Sequence, residues 1–173
     1  MNRSFRPETT SHPAPQAERR ALVQAAAAVA AAALLPATAL GAAGAASPSG
    51  PAAVAQAFAR AFNARDLDAL MVLYPAGSVF VPAPGQALVS PVAVRQALEG
   101  FLAIGLPIEM AVRHVYEAGD TALLVVDWAI RGVGADGRPV DMRGTATDVV
   151  ARSPVGHWHY RIDNPFGGFQ PTP

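Results

Sequence analysis

From Pro107 onward, apolar and polar side chains alternate with a period of two, the signature of strands with one covered face. In the first such segment Ile108, Met110, Val112, His114 and Tyr116 share one phase, while Glu109, Arg113 and Glu117 share the other. In the second, Leu124, Val126, Trp128 and Ile130 form an apolar phase, and Asp127 and Arg131 fall with Leu123 and Val125. In the last, Trp158, Tyr160 and Ile162 alternate with His157, His159, Arg161 and Asp163. Gly119-Asp120, Gly134-Ala135-Asp136-Gly137 and Ser153-Pro154-Val155-Gly156 separate four long strands and read as hairpin turns.

Ahead of this region the period is helical. Val54, Phe58, Ala61 and Phe62 follow Pro51, a residue suited to a first helical turn. Asn63-Ala64-Arg65-Asp66 interrupts, and Asp66 can cap a second short helix with Leu67, Leu70, Met71 and Tyr74 on one face. Pro75 and Gly77 end it. Residues 78–82 read as a short strand, returning through Ala83-Pro84-Gly85-Gln86 to a second strand at 87–90. A third helix is predicted with Ser90 as its cap, Pro91 in its first turn and Val94, Leu98, Phe101 and Leu102 as its buried stripe. Helices at the front and an antiparallel meander behind predict an α+β domain with one face of the sheet covered.

Residues 1–46 follow a different pattern. Arg3, Arg6, Arg19 and Arg20 precede an alanine-leucine run over 25–35, then Pro36 and small residues, the layout of an export signal. Arg19-Arg20-Ala21-Leu22-Val23-Gln24 resembles the twin-arginine motif, although Glu18 stands where that motif usually has serine or threonine, so general secretion stays open as a route. The run is short of the roughly 20 apolar residues that span a bilayer, so no permanent membrane anchor is expected. Small-x-small patterns at Ala37-Thr38-Ala39 and Ala43-Gly44-Ala45 place the start of the mature domain near Ser47. The expectation is a leader over 1–46 and one domain over 47–173.

Composition narrows the chemistry. Basic and acidic residues number 13 each, and all the basic ones are arginine. No basic patch points to nucleic acid. There is no cysteine, hence no disulfide, thiol nucleophile or thiolate metal site. A glycine-rich phosphate loop, a GxSxG elbow and an HExxH helix are all missing from the sequence, so no cofactor is expected.

Ala61-Phe62-Asn63-Ala64-Arg65-Asp66-Leu67-Asp68-Ala69-Leu70, Phe80-Val81-Pro82-Ala83-Pro84-Gly85, Gly119-Asp120-Thr121-Ala122-Leu123 and Gly156-His157-Trp158 leading to Asp163-Asn164-Pro165-Phe166-Gly167 resemble the SnoaL-like and DUF4440-type group. These are relatives of ketosteroid isomerases and polyketide cyclases within the NTF2-like superfamily. The resemblance implies a cone: three N-terminal helices on a curved antiparallel sheet, with an apolar pocket between them. It also implies a small, largely apolar ligand and often a homodimer through the outer sheet face. Isomerases of the superfamily carry a tyrosine on the first helix and a carboxylate base after the second. The first helix here has no tyrosine, and Tyr74-Pro75-Ala76-Gly77 has no carboxylate, which argues against steroid-isomerase chemistry specifically.

Several side chains could carry chemistry. His114, alone among the histidines on an apolar strand phase, is the expected proton-transfer group of a pocket, or else a buried histidine satisfied by a neighbour. Asp148 shares a phase with Val140, Met142, Gly144 and Ala146, and would orient His114 or share its proton unless a bulge near Thr147 turns it outward. Asp163, on the polar phase, closes the strand with Asn164 and Pro165, or faces the cavity mouth if its strand bends and there orients His114 or shares its proton. Tyr74, Phe80, Trp128, Trp158 and Tyr160 are core residues expected to shape the pocket. His157 and His159 project from one side of their strand, which suits an exposed or dimer-facing pair better than a metal lacking a third ligand. The expected function is cofactor-independent acid-base chemistry of isomerase or cyclase type, and the alternative is a non-catalytic ligand-binding or dimerisation module.

Overall fold

The computed structural model describes residues 47–167, so the export signal expected over 1–46 lies outside the described residues. Helix α1 (Pro51–Asn63) buries Val54, Ala55, Phe58, Ala61 and Phe62 along one stripe. Helix α2 (Leu67–Val72) opens on Asp66, whose Oδ1 accepts the Ala69 N–H at 2.9 Å. A short hairpin, β1 (Val79–Ala83) and β2 (Gln86–Leu88), precedes α3 (Pro91–Leu102). Ser90 occupies the cap position of α3, but its hydroxyl makes no capping bond. Four longer strands follow: β3 (Ile108–Ala118), β4 (Thr121–Val133), β5 (Pro139–Arg152) and β6 (Trp158–Asp163). Among the described residues no helix is long and apolar enough to cross a membrane.

The strands form one curved, unclosed sheet in the order β2-β1-β6-β5-β4-β3. It is antiparallel as expected except at one junction, where β1 joins β6 in parallel through Val79 opposite Ile162 and Phe80 opposite Asp163. That junction brings the hairpin after α2 against the last strand. Ser78 donates to the Tyr160 carbonyl at 2.7 Å, and the Tyr160 N–H donates to the Leu73 carbonyl at 3.0 Å. Asn63 pins the start of β3 by exchanging side-chain bonds with Ile108, at 3.0 Å to its carbonyl and 2.8 Å from its N–H.

The inner face is built by alternation. Ala122, Leu124, Val126, Trp128 and Ile130 of β4 are buried, and pairing with β5 runs without a shift from Thr121 opposite Ala151 to Val133 opposite Pro139. Two other pairings do shift. In β3 the register steps from Val112 opposite Val126 to His114 opposite Val125, leaving Arg113 as an extra residue. In β6 it steps from Tyr160 opposite Val150 to Ile162 opposite Val149, leaving Arg161 as the extra residue. A one-residue bulge moves everything beyond it to the other face of the sheet. These two bulges decide which polar side chains enter the interior.

Candidate active site

At the base of the cone, Asp148 on β5 and Asp163 on β6 enter the apolar core together, 1% and 6% exposed. Asp148 arrives by simple alternation: it stands opposite Leu124 in the unshifted β4–β5 ladder, so the outward turn near Thr147 does not occur. Asp163 arrives by the Arg161 bulge. Without it, parity with His159 and Arg161 would put the carboxylate outside, whereas here Ile162 is the exposed residue.

The two carboxyl groups hydrogen-bond each other. The Tyr74 hydroxyl donates to Asp163 Oδ2, and the Asn164 backbone N–H donates to Asp148 Oδ1 at 2.9 Å. Burial raises Asp148 well above the ordinary carboxylate range, helped by the charge of Asp163 and opposed by the Asn164 N–H. Burial pushes Asp163 up to about 6, opposed by donation from Tyr74 and from the Asp148 carboxyl. Two carboxylates in contact away from water cannot both ionise, so the pair holds one proton near neutrality. Burial raises both members of the pair, and the Tyr74 hydroxyl directed at Asp163 favours the ionised form there.

Around the pair stand aromatic rings. Tyr160 stacks on Tyr74 at 5.1 Å between centroids and meets Phe58 edge-on at 6.1 Å, while Phe80 lies edge-on to both Tyr74 and Phe101. Burial raises both tyrosine hydroxyls well above their usual range, with the aspartates adding to the effect. Tyr160 and both aspartates line a cavity of about 40 Å³, together with Phe58, Phe80, Leu98, Trp128 and Pro165 among others. Such a group of titratable side chains, strongly shifted and facing an apolar cavity, is the arrangement proton transfer requires.

The expected site is therefore redistributed. His114 is not in it: the Arg113 bulge places His114 opposite Val125 on the outer face, exposed and stacked on Tyr116 at 5.9 Å. Phe80, Trp128 and Tyr160 line the cavity as expected, whereas Tyr74 sits behind Tyr160 and reaches the site through its hydroxyl. Trp158 is buried elsewhere, beneath the Arg152 guanidinium at 6.0 Å and against Pro48 through its backbone, and does not line the cavity. His157 is exposed in the turn before β6, and His159 is half-buried on the outer face opposite Ala151. Asn164 and Pro165 were visible only as chain-turning residues, yet one holds Asp148 and the other lines the cavity.

A larger groove of about 830 Å³ crosses outer-face residues Glu109, Asp127, Arg131, Arg143 and Thr145. Asp127, Arg131 and Arg143 are each held by an ion-pair partner. Arg113 Nε donates to Asp127 Oδ2 at 3.0 Å, Thr145 donates to Asp127 at 2.7 Å, and Arg131 and Arg143 both contact Asp141. Asp127 is held below the ordinary carboxylate range by Arg113 and Thr145. The buried carboxyls and tyrosine hydroxyls lie instead in the smaller, more apolar cavity.

A family model for SnoaL-like domains matches residues 55–161. The chain belongs to the SnoaL-like family. None of the curated proteins matches it. Solved structures similar to this SnoaL-like domain include a Thiobacillus denitrificans protein proposed as a calcium/calmodulin-dependent protein kinase type II association domain, 21% identical, covering 69% of this chain and 95% of that one with a TM-score of 0.56. An NTF2-like family protein from Streptomyces avermitilis, proposed as a dehydratase, is 22% identical over 68% of this chain and 93% of that one, at a TM-score of 0.55. A ketosteroid isomerase-like protein from Erwinia carotovora atroseptica is 21% identical over 65% and 88%, at 0.53. At these identities the likeness is one of fold, the NTF2-like α+β cone, and the sites must be compared by chemistry.

Proposed function

We propose that this SnoaL-like domain binds a small, largely apolar molecule and performs cofactor-independent proton transfer on it, of the isomerase or cyclase type. The observation that carries the reading is the Asp148–Asp163 pair, two hydrogen-bonded carboxyls on the wall of an aromatic-lined cavity. Asp163 is the base. Its proton affinity lies near working pH, where a general base is most effective. It takes a proton from carbon beside a carbonyl, and Asp148, already protonated, donates to the oxygen on which charge develops. Return of the proton to a different carbon completes an isomerisation and restores both carboxyls.

Incubating the full chain in deuterated water with small cyclic enones and β-keto esters tests this reading through exchange at the acidic carbon. Catalysed exchange that falls at least about 100-fold in Asp163→Asn, with the fold retained, is the expected result. Saturable binding with no exchange would instead favour a non-catalytic ligand-binding module. That second reading draws support from the small cavity and from the lack of a carboxylate at Gly77.

We further propose a homodimer through the outer sheet face. A row of cross-strand neighbours, Tyr116, Leu123, Val149 and Ile162, runs over four strands there, with Tyr116 59% and Leu123 39% exposed. Sedimentation over a range of protein concentrations tests it, since a monomer at every concentration rules the dimer out. Residues 1–46 are proposed to direct export by a twin-arginine-type route to the periplasm or medium, on the strength of Arg19-Arg20 and the apolar run that follows. Replacing both arginines by lysine should leave the protein in the cytoplasm, and undiminished export would favour the general route.

A further inference from the structure

The cavity is too small for the molecule it is proposed to hold. About 40 Å³ accommodates one or two waters, whereas pockets for organic ligands begin near roughly 300 Å³. Part of the wall must move. Every lining residue but one belongs to a helix or strand, and the exception is Pro165.

Pro165 opens a short turn at the end of β6 whose attachments among the described residues are few. Asn164 anchors it: the Thr147 N–H donates to the Asn164 carbonyl at 3.1 Å, the Asn164 N–H donates to Asp148, and the Asn164 side chain reaches Thr147 Oγ1 at 3.3 Å. Beyond that anchor the turn is tied largely to itself, through Gly167 N–H to the Asn164 carbonyl and Asn164 Nδ2 to the Gly167 carbonyl, both at 3.1 Å. Among the described residues one hydrogen bond crosses to the opposite wall, from Trp128 Nε1 to the Pro165 carbonyl at 2.6 Å, and Phe166 rests edge-on against the same indole at 6.2 Å. Gly167 lies close over the β5 backbone, where a Cβ would come within 2.5 Å of the Thr145 carbonyl oxygen.

We propose that Pro165–Phe166–Gly167 is the gate of the cavity, hinged at Asn164 and latched by Trp128. Opening it breaks the Trp128 latch bond and lifts Phe166 from the indole and Gly167 from the β5 backbone, and it leaves the ladder hydrogen bonds of the sheet and the helices intact. Trp128 is therefore a gating residue rather than a passive wall. The inference concerns access to the site of the proton-transfer reading, but it rests on the cavity and the turn, and its test needs no turnover.

Because the chain has no cysteine, single introduced thiols report access without background. Ala146→Cys places a thiol on the cavity wall, and Ala55→Cys places one in the α1 core away from the turn. Both would be modified with methyl methanethiosulfonate in the full chain, followed by mass spectrometry. The gate predicts that the thiol at 146 reacts at least about tenfold faster than the thiol at 55, which reacts only through global opening. Trp128→Phe, and separately Phe166→Ala, should accelerate the former several-fold and leave the latter unchanged. Equal rates at the two positions, or parallel acceleration of both, would show that access comes only with unfolding and would overturn the proposal. So would acceleration at 146 by Leu98→Ala and not by either gate variant, which would put the entrance at α3.

Discussion

A buried carboxyl pair that holds its proton too tightly must make the protein less stable as pH rises, and the size of that loss follows from the site. Asp163 titrates near 6 in the folded chain against 3.8 as its ordinary value. The difference, 6 minus 3.8, corresponds at 1.36 kcal/mol per unit to about 3 kcal/mol of folding free energy. The folded state binds the proton more tightly, so this contribution is fully present below pH 3.8 and is lost as pH climbs through 6. About 2 kcal/mol of it should disappear between pH 4 and 7. Asp148, raised further by the same burial, extends the loss to higher pH. Asp127 acts in the opposite sense, and its contribution is complete by about pH 5, near the start of this window. Urea unfolding of wild type and Asp163→Asn at several pH values between 4 and 7 would measure the effect. Wild type should lose stability across the range and the variant should lose much less. Flat or rising stability in wild type, or identical slopes in the two proteins, would refute the argument that burial controls the pair.

Other substitutions separate the roles of the neighbours. Asp148→Asn keeps an acceptor for the Asn164 N–H and a donor for Asp163, so it should be close to neutral in stability at pH 7, whereas Asp148→Ala strands both partners and should cost about 1–3 kcal/mol by denaturant melts. Tyr74→Phe removes a donor to Asp163, and carboxyl NMR should show Asp163 titrating still higher, with about 1.5–3 kcal/mol of stability lost at neutral pH. His114→Gln should change neither stability nor any turnover or ligand affinity, since the imidazole is exposed on the far face. Gly144→Ala would place a Cβ 2.9 Å from Trp128 Nε1, and the displaced indole should cost about 1–3 kcal/mol and free the Pro165 latch, visible as faster modification of a cysteine at 146.

Periodicity alone was enough to locate three helices, the front hairpin and four long strands, because each stretch has one apolar face and ends at glycine, proline or a capping aspartate. For Asp148 it left two positions open, inward with Ala146 or outward after a bulge near Thr147, and the choice fell to the β4–β5 ladder, which carries no irregularity between Thr121 and Val133. It failed at His114 and Asp163 for one reason. A bulge is fixed by pairing with a distant strand, and neither Arg113 nor Arg161 differs locally from any other outward-facing arginine. Parity counted through an unseen bulge exchanges inside for outside, so the histidine that looked buried is exposed and the aspartate that looked exposed is buried. The parallel contact of β1 with β6 was equally invisible, being a partnership between segments some 80 residues apart. The Tyr74–Asp163 bond depends on it.

Carbon-13 NMR of the full chain labelled at aspartate carboxyl carbons tests the central claim most directly. Wild type should show one aspartate protonated at pH 7 and a second titrating near 6, the first absent from Asp148→Asn and the second from Asp163→Asn. If every aspartate in the folded protein instead titrates at or below about 4, the two carboxyls do not share a proton and the acid-base site is not there.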